Sequence, residues 1–282
     1  MTTRRTARIG IAQWRPEPGR SLSNAATAGR LVAALAARGA DLVVLPELWP
    51  SGYDARTLAA DAGAAAEPLD GPRDRLLRDL AREHRLWLFA GSVPERAEGV
   101  LFNTAPVYAP DGERVAAHRK VHLYPTTGEA AVFAAGATAT VVATPWGPVG
   151  LSICFDGDHP GYARALRSRG ARVVVSISAY ETGAARWWDL LYPAQALANG
   201  QWWLMANQCG GAGPSGLLGG SRVMAPDGRT VAEAPRATTG TAPAPAPEEH
   251  LLVADLDLAA GIEAADRDAA PLWEGARPEV YA

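Results

Sequence analysis

Three polar residues of this 282-residue chain stand at or just after the ends of apolar segments that predict β-strands. They are Glu47, Lys120 and Cys154, separated by 73 and 34 positions. In layered α/β folds reactive groups gather at strand ends, because the strand fixes the backbone while the following loop reaches a cleft. The sequence therefore predicts that these three side chains share one site.

The chemistry available to such a set is nucleophilic catalysis. A thiol is activated by a nearby base, a carboxylate can take and return a proton, and an ammonium can favour the thiolate and stabilise an oxyanion. Taken singly, each residue has a structural explanation: free cysteines commonly pack as small hydrophobes, and Glu47 and Lys120 would ordinarily be solvated charges. The functional hypothesis depends on the three residues together.

The elements that must position these residues alternate between strands and helices. Turn signals at Pro110-Asp111-Gly112, Pro145–Pro148 and Pro226-Asp227-Gly228 predict antiparallel hairpins between the helical segments. Residues 235–249 are predicted to form a solvated loop. The pattern predicts a layered α/β or α+β fold, with these strands and helices: strands 7–14, 41–45, 86–90, 101–108, 113–118, 138–144, 149–153, 172–177, 202–206, 221–225, 230–234 and 251–256, and helices 21–38, 72–84, 162–169 and 184–199.

Composition excludes several classes of protein. Lys+Arg 27 against Asp+Glu 30 gives a net charge of −3, without the basic block that nucleic-acid binding requires. No apolar run approaches the roughly 20 residues of a membrane span. Two cysteines make no disulfide framework, and Arg15 interrupts the first apolar run too early for a signal peptide. We expect one domain over residues 1–282, located in the cytoplasm.

Seven short segments of the sequence resemble the motifs of a known protein family and occur along the chain in the same order. They extend from the first predicted strand to the C-terminus, and seven matches in this order are far more specific than any single match. The chain thereby resembles the nitrilase superfamily of carbon–nitrogen hydrolases over roughly Ala7 to Tyr281. The segments are Ile9-Gly-Ile-Ala-Gln13, Leu45-Pro-Glu-Leu-Trp49, Arg119-Lys-Val-His-Leu123, Ser152-Ile-Cys-Phe-Asp156, Ala206-Asn-Gln-Cys-Gly210, Gly220-Ser-Arg with Pro226-Asp-Gly, and Arg277-Pro-Glu-Val-Tyr281.

The resemblance implies a Glu-Lys-Cys triad on Glu47, Lys120 and Cys154, with Glu129 as a second glutamate beside the substrate. It also implies a four-layer α-β-β-α sandwich of two mixed sheets and a homodimer or larger homo-oligomer, with a C-terminal extension near 270–282. The family reaction needs neither a metal nor an organic cofactor. The chain departs from the family pattern at His159 and Gly161, where an aromatic residue and an acid are usual.

The function expected from this resemblance is hydrolysis of a small carboxamide through a thioester on Cys154. Amides are favoured over nitriles because Phe155-Asp156 follows the cysteine, whereas family members that act on nitriles usually have Trp-Glu there. Hydrolysis of N-carbamoyl amines or amino acids, a nitrilase reaction, and a catalytically silent interaction protein remain alternatives. A metal hydrolase is a weaker one, built on His118, His122, Asp156, Asp158 and His159.

Aromatic residues near the predicted site suit a small, partly apolar acyl group. Family members that hydrolyse carbamoyl amino acids often place an arginine soon after the cysteine to hold a carboxylate, whereas this chain has Gly157 and Asp158. We therefore expect neutral or cationic amides to be better substrates than amides with a free carboxylate. The candidate wall residues are Trp49, Tyr53, Tyr124, Phe155, Tyr180 and Trp187.

Overall fold

The computed structural model describes residues 4–211, 215–238, 248–275 and 277–280, and two β-sheets form its centre. The strands are β1 (Thr6–Trp14), β2 (Leu42–Val44), β3 (Trp87–Phe89), β4 (Val93–Ala97), β5 (Val100–Tyr108), β6 (Arg114–Arg119), β7 (Val141–Thr144), β8 (Gly147–Ile153), β9 (Val173–Ser178), β10 (Trp202–Asn207), β11 (Cys209–Gly210), β12 (Leu217–Leu218), β13 (Arg222–Met224), β14 (Thr230–Glu233) and β15 (Glu249–Asp257). The helices are α1 (Ser21–Ala37), α2 (Leu58–Ala65), α3 (Pro72–His84), α4 (Pro160–Ser168), α5 (Ala185–Asn199) and α6 (Leu258–Glu274).

Both large sheets are mixed. The first has the order β15-β1-β2-β3-β5-β4, with β6 paired to β5, and the second has the order β14-β13-β10-β9-β8-β7. In each sheet the three central strands are parallel, β1-β2-β3 and β8-β9-β10, and the flanking strands are antiparallel. Parallel strands are covered on both faces, which explains their continuous apolar sequences such as Leu42-Val43-Val44.

The two sheets pack face to face and helices cover their outer faces. Ile9 and Ile11 of β1 point into the core between the sheets, together with Val149 and Val175 of the second sheet. The outer face of the first sheet packs against α1 and α3, and that of the second against α4 and α5. Because successive strand residues point to opposite faces, β1, β2, β3, β9 and β10 each contribute side chains to two cores. The expected four-layer α-β-β-α sandwich is confirmed.

The three predicted hairpins are present as β5–β6, β7–β8 and β13–β14. The structure adds β4, β11, β12, α2 and α6, which the sequence pattern did not predict. β4 contains Pro94 and two charged residues, a sequence that is tolerated because β4 is an edge strand. α2 is rich in Ala, and its sequence has little contrast between an apolar and a polar face. Of the predicted loop 235–249, residues 239–247 lie outside the described part, as do 276 and 281–282 of the C-terminal extension.

None of the helices in the described ranges combines the length and the apolar character needed to cross a bilayer.

Candidate active site

Glu47 follows β2 in a turn that both sheets hold in place. The Leu48 N–H donates to Ser92 Oγ (2.9 Å) beyond β3, and Gln208 Nε2 beyond β10 donates to the Glu47 carbonyl (2.6 Å). Leu48 adopts a left-handed φ of 41°, which lets the chain turn sharply after the strand. The Glu47 side chain is completely buried. The carboxylate is therefore fixed at the junction of the two sheets.

Lys120 lies one residue beyond β6. Its N–H donates to the Asn103 carbonyl of β5 (2.8 Å), which continues the β5–β6 ladder past the end of the strand. Its side chain is buried, and Nζ lies 2.9 Å from Glu47 Oε1 and 2.8 Å from Glu129 Oε1. One ammonium is thus shared by two carboxylates.

Glu129 begins a short 3₁₀ turn and is also fully buried. Besides Lys120, its Oε1 accepts a hydrogen bond from the Tyr53 hydroxyl (2.9 Å), and its Oε2 accepts one from the Tyr124 N–H (2.8 Å). Both of these partners belong to residues that line the adjoining cleft. Glu129 consequently links the buried ammonium to the wall of the cleft.

Cys154 is the first residue of a tight turn that begins where β8 ends. Its φ of 47° lies in the left-handed region, a conformation that costs of order 1–3 kcal/mol for a residue with a side chain. The Tyr192 hydroxyl lies 3.1 Å from the Cys154 carbonyl oxygen, and a side chain at Gly157 would place its Cβ 2.7 Å from the Tyr192 ring. The turn is held so that the half-buried thiol faces the cleft.

The buried charges near Cys154 do not balance. Two carboxylates face one ammonium, so full ionisation leaves one excess negative charge. Burial raises the pKa of Glu47, and the charge of Glu129 adds to this although Lys120 opposes it. Burial also raises the pKa of the Cys154 thiol well above its ordinary value, and the Glu47 charge adds to it. The thiol is therefore neutral at rest and needs a base, and Glu47 is the nearby group that favours accepting a proton.

Lys120 itself stays charged. Burial lowers its pKa, but the charges of Glu47 and Glu129 outweigh that effect and hold the pKa well above its ordinary value. A permanently protonated ammonium beside a reacting carbonyl can stabilise a developing oxyanion.

A cleft of about 500 Å³ opens above Cys154. Five of the six candidate wall residues line it, namely the aromatic residues at 53, 124, 155, 180 and 187. Tyr124 and Phe155 contact each other edge to face, with ring centroids 5.2 Å apart. The complete lining is Tyr53, Tyr124, Cys154, Phe155, Asp158, His159, Ala179, Tyr180, Glu181, Gly183, Ala184 and Trp187.

The expectation for Trp49 was wrong. This side chain is fully buried, its indole N–H donates to the Ala90 carbonyl (2.8 Å), and its ring lies 6.4 Å from that of Trp14. It packs in the core between the first sheet and its helices. Adjacency in sequence to Glu47 did not place it in the cleft, because the chain turns at Leu48.

Sequence reasoning missed two groups that hold Glu47. Asn103 Nδ2 donates to Glu47 Oε1 (2.9 Å), and the Ala179 N–H donates to Oε2 (2.8 Å). Asn103 carried a usable signal, since it is an amide within an otherwise largely apolar strand. The backbone N–H of Ala179 carried none, because any residue other than proline supplies one.

The residues of the metal-hydrolase alternative form a hydrogen-bonded cluster instead. Asp156 Oδ2 lies 3.1 Å from His118 Nε2, and Oδ1 lies 2.9 Å from His122 Nδ1. His159 stacks on His122 at 4.0 Å, and Asp158 lies within hydrogen-bond distance of the hydroxyls of Tyr180 and Tyr192. Within the described residues, no group of three or more His, Cys, Asp or Glu side chains is arranged to hold a metal ion.

Comparison with known proteins agrees with this fold. The profile of the family described as carbon-nitrogen hydrolase matches residues 8–266. The chain belongs to this family. It is therefore an enzyme of the carbon–nitrogen hydrolase class, and its nitrilase-superfamily resemblance is confirmed.

Three relatives illustrate the similarity. The omega-amidase NIT2 of Mus musculus is 31% identical, with 98% of this chain and 97% of the relative covered. Nit3 of Saccharomyces cerevisiae, a nitrilase-superfamily member, shares the fold with a TM-score of 0.79 at 24% identity over 95% and 96% of the two chains. A Cys→Ala mutant of the amidase from Nesterenkonia sp. AN1, in complex with butyramide, has a TM-score of 0.76 at 27% identity over 94% and 95%. In another structure of that amidase, acrylamide has added to the active-site cysteine.

Proposed function

We propose that this carbon–nitrogen hydrolase cleaves small carboxamides through a thioester on Cys154. The observation that carries the proposal is the buried Glu47–Lys120 pair at the end of a strand, beside a cleft whose floor holds a neutral thiol. The amidase activities named for the relatives support amides over nitriles. The reactive cysteine of the Nesterenkonia amidase supports the thiol as nucleophile.

In the first half of the reaction Glu47 removes the thiol proton as the Cys154 sulfur attacks the carbonyl carbon of the amide. The Lys120 ammonium and the backbone N–H after Cys154 stabilise the negative charge that develops on the carbonyl oxygen. The C–N bond then breaks, and Glu47 gives its proton to the departing ammonia or amine. An acyl group remains on the sulfur as a thioester.

In the second half water replaces the amine. Glu47 takes a proton from the water as its oxygen attacks the thioester carbon, and the sulfur leaves with a proton returned from Glu47. The products are a carboxylic acid and ammonia or an amine. Glu129 holds Lys120 in place throughout and, through Tyr53, connects it to the wall that contacts the acyl group.

The cleft supports a small substrate. Its aromatic walls match a short, partly apolar acyl chain, and a volume of about 500 Å³ lies in the lower half of the range of ordinary small-molecule sites. N-carbamoyl compounds and nitriles are alternatives with the same triad.

The proposal is tested by measuring ammonia release from a panel of simple amides, nitriles and N-carbamoyl amines. We expect release from amides, with mass spectrometry detecting an acyl adduct on Cys154 when the reaction is quenched early. Cys154→Ala should abolish turnover, whereas Cys209→Ala is the matched control, since Cys209 is a buried thiol that does not line the cleft. Release from nitriles but from no amide, or near-full activity of Cys154→Ala, would contradict the proposal.

We further propose a homo-oligomer and a cytoplasmic location. Trp187, Leu190 and Leu197 share one side of α5 and are 60%, 58% and 52% exposed, an apolar stripe suited to a second copy of the chain. Cys154 and Cys209 are both free thiols, as in a reducing compartment. A monomeric mass by light scattering at micromolar concentration would contradict the oligomer.

A further inference from the structure

A carboxylate that the proposed reaction does not use faces the cleft four residues after the nucleophile. Asp158 is half-buried and lines the cleft together with Cys154. The Tyr180 hydroxyl lies 3.0 Å from its Oδ2, and the Tyr192 hydroxyl lies 3.1 Å from its Oδ1. Each carboxylate oxygen can accept two hydrogen bonds, so each retains an acceptor position beyond its tyrosine. The Asp158 carboxylate is held in place and can still accept hydrogen bonds from a ligand.

The two tyrosines beside this carboxylate are themselves held by the protein core. Tyr192 is completely buried, Tyr180 is 5% exposed, and their rings meet edge to face at 6.1 Å. Their side chains pack in the core under α4 and α5. A carboxylate positioned by rigid partners loses little conformational freedom when a ligand binds, which strengthens its contribution to affinity.

The remainder of the cleft adds no positive charge. Among the residues that the structure places in the lining, the other carboxyl is Glu181, and neither lysine nor arginine is present. Burial lowers the pKa of His159, and the charge of His122 adds to this, so that ring is neutral near pH 7. Behind the floor, the carboxylates of Glu47 and Glu129 outnumber Lys120.

Three arginines could supply a counter-charge, and none of them is part of the described lining. Arg186 is exposed at the start of α5 and does not line the cleft. Arg222 is buried, where it donates to the Trp188 carbonyl and pairs with Asp189. Arg164 donates to the Ala198 carbonyl at the surface (3.2 Å). The cleft therefore presents a negative potential to its substrate, which attracts a cation and repels a second carboxylate.

We propose that Asp158 is a specificity-determining residue that binds a protonated amino group on the acyl part of the substrate. The preferred substrates are then small amides with a positive charge, and amides that carry a carboxylate are disfavoured. The inference rests on the proposed amidase function and adds the class of substrate. Hydrogen bonds between a carboxylate and an ammonium are roughly twice as strong as neutral ones, which makes a single residue sufficient for selection.

The test compares three amides with the same four-carbon chain: butyramide, 4-aminobutyramide and succinamic acid. Ammonia release gives kcat/KM for each. For the wild-type enzyme we expect the cationic amide to exceed the neutral one by about 10-fold, and the anionic one to fall below it by a similar factor. Asp158→Asn should reduce the ratio of cationic to anionic turnover by about 10- to 100-fold. Glu181→Gln, the matched control in the same lining, should change that ratio by about 2-fold, since Glu181 is less enclosed.

The outcomes separate this inference from the proposed function. Ammonia release from butyramide supports the proposed amidase function, whatever the ratios of kcat/KM between the three amides are. A wild-type enzyme that prefers succinamic acid, or an Asp158→Asn variant that loses the same factor on all three amides, would overturn the role of Asp158. An equal loss would show that Asp158 only supports Tyr192 and the Cys154 turn. If Asp158→Asn does not fold, the wild-type ratios alone decide. No release from any of the three amides would contradict both proposals.

Discussion

Two buried clusters of acidic and basic side chains lie near the Cys154 turn, and residues 118–122 contribute side chains to both. The Glu47 cluster consists of Glu47, Lys120 and Glu129, and the Asp156 cluster consists of Asp156, His118 and His122. Residues 118, 120 and 122 alternate between them. Both clusters contain fully buried carboxylates, so burial alone does not distinguish a reactive group from a structural one.

The clusters differ in how completely their carboxylates are hydrogen-bonded. Asp156 has five polar groups within hydrogen-bond distance, three of them backbone N–H groups. Burial alone would raise its pKa, but the bonds to His118 and His122 outweigh this and hold the pKa well below its ordinary value. Glu47 accepts three hydrogen bonds and has a raised pKa. A saturated carboxylate holds a backbone turn in shape, whereas one with spare capacity can exchange a proton.

The comparison is tested most strongly by making the same chemical change in each cluster. Glu47→Gln removes the base while keeping the size of the side chain. We expect kcat for amide hydrolysis to fall by about 10²–10⁴-fold. The free energy of unfolding should change by no more than about 1 kcal/mol, because Lys120 keeps Glu129 as a partner. Ammonia release and urea denaturation measure the two quantities, and a stable, fully active variant would remove Glu47 from the mechanism.

The next effect concerns the charge balance of the Glu47 cluster. Lys120→Met leaves two buried carboxylates without their ammonium, and we expect a loss of about 3–5 kcal/mol in the free energy of unfolding. Activity should be lost as well. The double variant Lys120→Met/Glu129→Gln should regain part of the stability but none of the activity. If the double variant were no more stable than the single one, repulsion between the carboxylates would not be the cause.

The smallest effect belongs to the Asp156 cluster. Asp156→Asn should cost about 1–3 kcal/mol of unfolding free energy, since it leaves buried donors without acceptors. The folded-state pKa of Asp156 lies below its unfolded value, so its contribution is complete above roughly pH 4 and is lost as the pH falls further. The stability difference between wild type and Asp156→Asn should therefore shrink between pH 7 and pH 3. A constant difference in urea denaturation over that range would show that the charge of Asp156 does not contribute.

Much of the fold was predictable because its signals are local. Pro110-Asp111-Gly112 marks the β5–β6 turn, and the apolar segment before Glu47 marks β2. These features depend on a few neighbouring residues. α2 and β4 were missed because neither has a clear periodic pattern, and their positions depend on the sheet edge and loops that they contact.

The site was predictable in its reactive residues and less so in its surroundings. Glu47, Lys120 and Cys154 stand at strand ends, where a motif can be recognised. The direction of a side chain after a turn is a tertiary property, which explains why Trp49 entered the core while Tyr53 reached the cleft. The tyrosines that hold Asp158 come from positions 22 and 34 residues further along the chain, and no local pattern joins them to it.

Because Glu47 is attached to both sheets, catalytic activity depends on how the two sheets are positioned relative to each other. The Glu47 carbonyl is held by Gln208 and its carboxylate by Ala179, both beyond strands of the second sheet, while its own strand belongs to the first. A loosened, molten-globule form could retain every strand and helix and still separate Glu47 from Cys154. Its far-ultraviolet circular dichroism would remain near-native while turnover vanished. Enzymatic activity thus measures how well the two halves of the sandwich are docked, a quantity that secondary-structure spectroscopy does not detect.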